Sequence, residues 1–178
     1  MLFNKEYSFR GSHATKVTEL TANFNEHSAK IFNRNIDVYL IAPMVGFLFG
    51  RKATIDKSSG ETTKIFPDQL SREQTNLKYN YQLIMLLDKK NEPNFEKRLD
   101  RAFRNYGNES QETLNDESLY EEYVLGGIDL LHEKLIDGAI NTEDYLNRLY
   151  DFLEDFNDRY NTDISDEHIL DLCALARS

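Results

Sequence analysis

Tryptophan is missing from this chain, cysteine occurs once, proline three times and glycine eight times in 178 residues. Each shortage excludes something. A lone Cys173 cannot close an intramolecular disulfide, which rules out a stapled secreted scaffold and fits a reducing compartment. So few prolines and glycines rule out collagen-like and low-complexity classes. Long hydrophobic runs are also lacking. The most apolar stretch, within "IDVYLIAPMVGFLFGRKATID", runs for 13 residues from Val38 to Gly50 and is closed by Asp37 and Arg51. A membrane-spanning helix needs roughly 20 such residues, so the run reads as a buried helix and no membrane partner is expected. The opening "MLFNKEYSFRGSH" has no apolar signal-peptide region, and a cytoplasmic protein is expected. No Walker loop, dinucleotide fingerprint or serine elbow is present, and no repeat of solenoid period.

What is present is the composition of a folded chain. Hydrophobic residues make up 40%, aromatics 12% and charged residues 29%, enough for a single helical domain over residues 1–178. The net charge of −10 is unevenly spread. Residues 1–107 hold 17 Lys plus Arg against 12 Asp plus Glu, a net +5; residues 108–178 hold 4 against 19, a net −15. The basic front and acidic back read either as complementary surfaces, within one molecule or between neighbours, or as ordinary solvated helix faces.

The pattern is helical almost throughout, and an all-α bundle of six or seven helices is expected, with room for a minor β element. Ser12 is placed to cap a helix from His13 to about Ala22, and residues 28–50 read as a second helix with a break possible at Pro43. Residues 51–64 form a polar loop. The capping-box pattern "SREQ" at Ser71 to Gln74 opens a helix to about Asp88 with Leu77, Tyr81, Ile84 and Leu87 on one face. Pro93 introduces a helix over residues 94–107 that Gly107 ends. Residues 108–116 read as a connector, residues 117–137 as a helix stopped by Gly138. Asn141 and Asp144 start the next helix, whose Tyr145, Leu149, Phe152 and Phe156 form a 4-3-4 stripe. Ser165 caps a last short helix burying Ile169, Leu172, Cys173 and Ala176. Strand signals are limited to "EYSFR" and to "ATI", which could pair with "KIF".

Catalytic patterns are weak. Pro67-Asp68 with Asp88-Lys89-Lys90 fits a loose metal-nuclease arrangement, but such carboxylates belong on neighbouring strands and these fall at helix ends. Asp129 and His132 share a helical face as metal ligands do, yet no second such pair exists, and helix surface is the better reading. Gly126 and Gly127 inside a helix suggest close helix approach. Neither enzymatic activity nor a cofactor or metal is expected. The cations Lys97, Arg98, Arg101 and Arg104 share a broad helical face, and Arg51, Lys52 and Lys57 add a second patch.

Asp37-Val38, Ala42, Gly46-Phe47 and Gly50-Arg51 make a D-V-x-x-x-A-x-x-x-G-F-x-x-G-R pattern. It resembles a segment of small accessory proteins encoded beside bacterial DNA-phosphorothioation systems and in other anti-phage defence islands. "YQLIMLLDKK", "EKRLDRAFRNYG" and "EEYVLGGIDLLHEKLI" are similar to blocks of proteins from such islands. The resemblance implies a non-catalytic accessory or adaptor subunit of a multi-protein antiviral complex and transfers no catalytic residue. Expected contacts with a larger protein partner are Arg51, Lys52, Lys97, Arg98, Arg101 and Arg104, and the acidic Glu121, Glu122, Glu154 and Asp155. Two alternatives stay open: nucleic-acid binding by the basic helix 94–106, and acidic mimicry of DNA.

Overall fold

The computed structural model describes residues 3–161. Among them stand seven α-helices and one two-stranded ribbon. The helical bundle with a minor β element is therefore the fold. The order is β1 (Tyr7–Arg10), α1 (Ser12–Leu20), α2 (Asn35–Leu48), β2 (Thr62–Ile65), α3 (Pro67–Arg72) and α4 (Gln74–Leu87). Then follow α5 (Phe95–Leu99), running into a π-helical turn (Asp100–Arg104), α6 (Gln111–Leu135) and α7 (Thr142–Tyr160). The expected last helix, with its cap Ser165 and Cys173, lies outside the described residues.

At 25 residues α6 is about 37 Å long and is the axis of the molecule. Every residue from Tyr123 to Ile128 is buried, because α1, α2 and α4 all pack on it. The most extensive of these contacts is with α2. A Cβ on Gly127 would stand 1.8 Å from the Ala42 carbonyl oxygen, and one on Gly46 2.1 Å from that of Tyr123. The two backbones touch where glycine allows it, as the Gly126-Gly127 pair suggested. Gly126 plays the same part for the chain leaving α2, since its Cβ would meet the Arg51 carbonyl oxygen at 2.3 Å. The helix α2 runs unbroken through Pro43 and ends in a Schellman motif: Gly50 takes φ +64°, and the Arg51 and Gly50 amides donate to the Gly46 and Phe47 carbonyls.

Several expected boundaries move. The helix expected from residue 28 begins at Asn35. Ser28 holds a φ of +60°, the Asn25 side chain accepts from the His27 and Ala29 amides, and Asp37 accepts from the Arg34 amide at 2.9 Å. Ser71 is no cap. Pro67 starts α3 earlier, Gln69 accepts from the Phe66 amide, and the chain only kinks at Glu73 before α4. α1 is capped by Asp56, reaching from the 51–61 loop to the Ser12 amide at 2.8 Å, rather than by Ser12. The connector 108–116 is helical from Gln111, where the Ser110 hydroxyl accepts from the Thr113 amide. "EYSFR" and "KIF" do supply the two strands, but they pair with each other, Tyr7 opposite Ile65 and Arg10 opposite Thr62. "ATI" is instead pinned to α6 by Ala53, whose amide donates to the Glu122 carbonyl. Ile41, inside the run read as a buried helix, and Leu87, set on one face with Leu77, Tyr81 and Ile84, are 46% and 47% exposed.

Gly127→Ala is expected to destabilise the protein by about 3 kcal/mol or more, because two backbones must separate to admit one methyl group. Gly60→Ala, where a Cβ meets nothing within 4 Å, serves as the control and leaves the urea midpoint in place.

Candidate functional site

The four cations expected on the 94–106 helix do not form one face. Arg98 is 5% exposed, and its guanidinium donates to the backbone carbonyls of Leu86, Glu92 and Pro93 at 2.8–2.9 Å. It is a buried cap on the end of α4 and the turn after it. Arg101 turns inward too, its Nε 2.7 Å from Asp116 Oδ1. Burial pushes the Asp116 carboxyl up, against the pull of Arg101. Arg104 pairs with Asp100 one turn back. Lys97 is exposed with no ion-pair partner among the described residues, and it lines a 450 Å³ cleft whose other walls include Glu92, Asp100, Glu112 and Asp116. The α5 and π-turn segment thus presents Lys97 and a paired Arg104 among carboxylates rather than a stripe of four free cations.

Arg51 and Lys52 go elsewhere. With Lys89 and Lys90 they surround a cleft of about 500 Å³ where α2 and α4 end, lined further by Phe47, Gly50, Leu87, Asp88 and Tyr123. Lys52 Nζ lies 4.9 Å from the Tyr123 ring centroid, 3.2 Å from Asn91 Oδ1 and 4.0 Å from Glu122. Asp88, 2% exposed, accepts from the Asn91 side chain at 2.6 Å and from its amide at 3.2 Å. Burial, with Asp88 nearby, pushes the Tyr123 hydroxyl up to about 12. Periodicity did not reveal this cleft, because Lys89-Lys90 lie far from Arg51-Lys52 in the chain.

The acidic residues also divide. Glu121 accepts from the Tyr7 hydroxyl at 3.2 Å, and with Glu122 it lines a 220 Å³ groove against Ala53, Thr54 and Ile55. Burial, then Glu121, drives the Tyr7 hydroxyl well above its ordinary range. Asp155 pairs with Arg159 at 2.7 Å, while Glu154 is exposed on α7. α7 sits on the bundle by its expected stripe: Phe152 and Phe156 pack on Phe49, Tyr145 stacks on Phe24, and the Tyr160 hydroxyl donates to the Leu48 carbonyl. A second apolar stripe went unread. Leu146, Tyr150 and Leu153, 53%, 65% and 57% exposed, follow each other at spacings of four and three. The signal was present: an apolar arc wider than one contact needs.

Asp129 and His132 are not idle helix surface. Both face α1. Lys16 Nζ lies 2.8 Å and His13 Nε2 3.3 Å from Asp129 Oδ1, while His132 bonds Glu19 through Nε2 and sits 3.0 Å from Asp137 through Nδ1. No cluster of three metal-ligating side chains exists among the described residues, nor a helix long and apolar enough to cross a membrane. Compared with known proteins, the chain matches no family model, no curated protein and no solved structure.

Two expectations follow. Arg98→Ala is expected to cost about 2–4 kcal/mol by stranding three carbonyls, against about 0.5 kcal/mol or less for the exposed Arg104→Ala, both read by chemical denaturation. Burial raises the Asp129 carboxyl, but His13 and Lys16 outweigh it and the net shift is downward. A lowered folded value means stability that is complete above the ordinary carboxylate range, about 4, and is lost as pH falls through the folded value. Unfolding midpoints followed from neutral pH into that range should therefore drop less steeply for Asp129→Asn than for the parent.

Proposed function

We propose that this protein is a non-catalytic accessory subunit that docks a larger protein through the outer face of α7. One observation carries the reading: the Leu146, Tyr150 and Leu153 stripe stands in solvent beside the stripe that holds α7 to the bundle. At 100° per residue, Glu143, Glu154 and Asp158 fall along one edge of it, exposed and without an ion-pair partner among the described residues. Ile140, at the turn before α7, is 89% exposed. An apolar centre with an acidic rim is the anatomy of a recognition surface for an amphipathic basic helix: Tyr and Leu supply desolvated contact, and the rim sets orientation and on-rate. The resemblance over residues 37–51 supports placing that complex in a bacterial anti-phage defence assembly. Acidic mimicry of DNA has less support. Glu121, Glu122 and Asp155 answer cations or hydroxyls of the same molecule, so the carboxylates do not line one free face.

A photo-crosslinking side chain at position 150, introduced in the cells that make the protein, tests this directly. One discrete protein adduct is expected at position 150 and none at exposed Phe103 of the π-helical turn. The adduct should vanish in a chain carrying Leu146→Glu and Leu153→Glu, substitutions of exposed residues that leave the melting temperature unchanged. No adduct at position 150, or one indifferent to the two charges, would sink the proposal.

A further inference from the structure

In a chain of net charge −10, four cations converge on one cleft. We infer that the cleft between the ends of α2 and α4 binds a nucleotide, its phosphates held by Arg51, Lys52, Lys89 and Lys90 and its ring lying toward Phe47 and Leu87. This site is independent of the α7 docking face.

The argument begins with which charges are free. Lys89 and Lys90 are exposed and have no carboxylate within 4.0 Å among the described residues. Arg51 has only an exposed bridge to Glu133 at 3.2 Å, and Lys52 a distant one to Glu122 at 4.0 Å. Exposed bridges of this kind are weak, and a multiply charged anion between four cations competes with them readily. The single acid in the lining, Asp88, is turned inward, its carboxylate taken up by Asn91. The cations are also held in place. The Schellman turn at Gly50 sets Arg51 and Lys52 just past the last turn of α2, and Lys52 is braced by Asn91 and the Tyr123 ring. A guanidinium and three ammonium groups offer both forked and point contacts to phosphate oxygens.

The cleft also has an apolar side. Leu87 is 47% exposed and Phe47 half-buried, its ring set edge-on to Tyr123 at 5.5 Å. An anion that was phosphate alone would leave that side unused. The volume of about 500 Å³ lies within the roughly 300–1,000 Å³ typical of small-molecule sites.

The test is isothermal titration of the full chain with ATP, inorganic tripolyphosphate, adenosine and a short single-stranded oligonucleotide, at salt on the order of 50 mM where screening is mild. ATP should bind about tenfold more tightly than tripolyphosphate, and adenosine should not bind detectably. In Lys89→Glu/Lys90→Glu, whose exposed positions leave the ligand-free melting temperature unchanged, ATP affinity should fall by about tenfold or more. Failure of ATP to bind, or ATP binding indifferent to the double substitution, overturns the site. Tripolyphosphate binding as tightly as ATP overturns the ring contact, and with it the nucleotide. An oligonucleotide bound more tightly than ATP overturns the small ligand in favour of a nucleic-acid strand.

Discussion

The close approach of α2 and α6 is the constraint on which the rest of the molecule depends. Gly46 and Gly127 let the helices meet backbone to backbone, and Ala42 lies against Gly127 in the same contact. That proximity carries the chain after α2 directly over Gly126, so the segment from Arg51 to Ala53 is laid along α6 and pinned to the Glu122 carbonyl. Two consequences reach the surface. Arg51 and Lys52 are delivered to the end of α4, and Phe49 is left projecting as the anvil for Phe152, Phe156 and Tyr160 of α7. A nonpolar packing detail thus places both the cationic cleft and the acidic helix.

Charge follows the same frame. Lys16 to Asp129, Arg51 to Glu133, Lys52 to Glu122, Arg101 to Asp116 and Glu19 to His132 all join residues before 108 to residues of α6. The first four bring cations of the basic front onto carboxylates of α6, so part of the asymmetry is answered inside the molecule. Among the charges without an ion-pair partner in the described residues are the cations Lys89, Lys90 and Lys97 and the carboxylates Glu143, Glu154 and Asp158 along α7. What can face a partner is therefore a remainder after internal pairing, and a linear count of charges does not contain that remainder.

Features written in adjacent residues were readable. Asn141 and Asp144 cap α7 reciprocally, Asn141 accepting from the Asp144 amide at 3.1 Å and Asp144 accepting back. Gly50, Gly107 and Gly138 all take positive φ just past helix ends. The α7 core stripe and the Gly126-Gly127 contact were legible for the same reason, since helix periodicity and the absence of a Cβ are local properties. Errors came where a local signal had a rival. Pro67 outcompeted the Ser71 box, Asn25 and Ser28 built a turn where periodicity suggested helix, and Asp56 displaced Ser12 as the cap of α1.

By itself the sequence determined the helical class, the helix stops at Gly50, Gly107 and Gly138, the absence of a long membrane-spanning run, and the charge carried by each half, because each depends on neighbouring residues or on counting. The tertiary structure decided which of those charges are available. Helical spacing sets Arg98 and Arg104 on one broad face, but only the fold brings the Leu86, Glu92 and Pro93 carbonyls around the Arg98 guanidinium and buries it. Lys89 and Lys90 look like the frayed end of a helix until the Gly46–Gly127 contact carries Arg51 and Lys52 beside them. Whether a cation is spent or free depends on groups distant in the chain, and distance along the chain is what packing overrides.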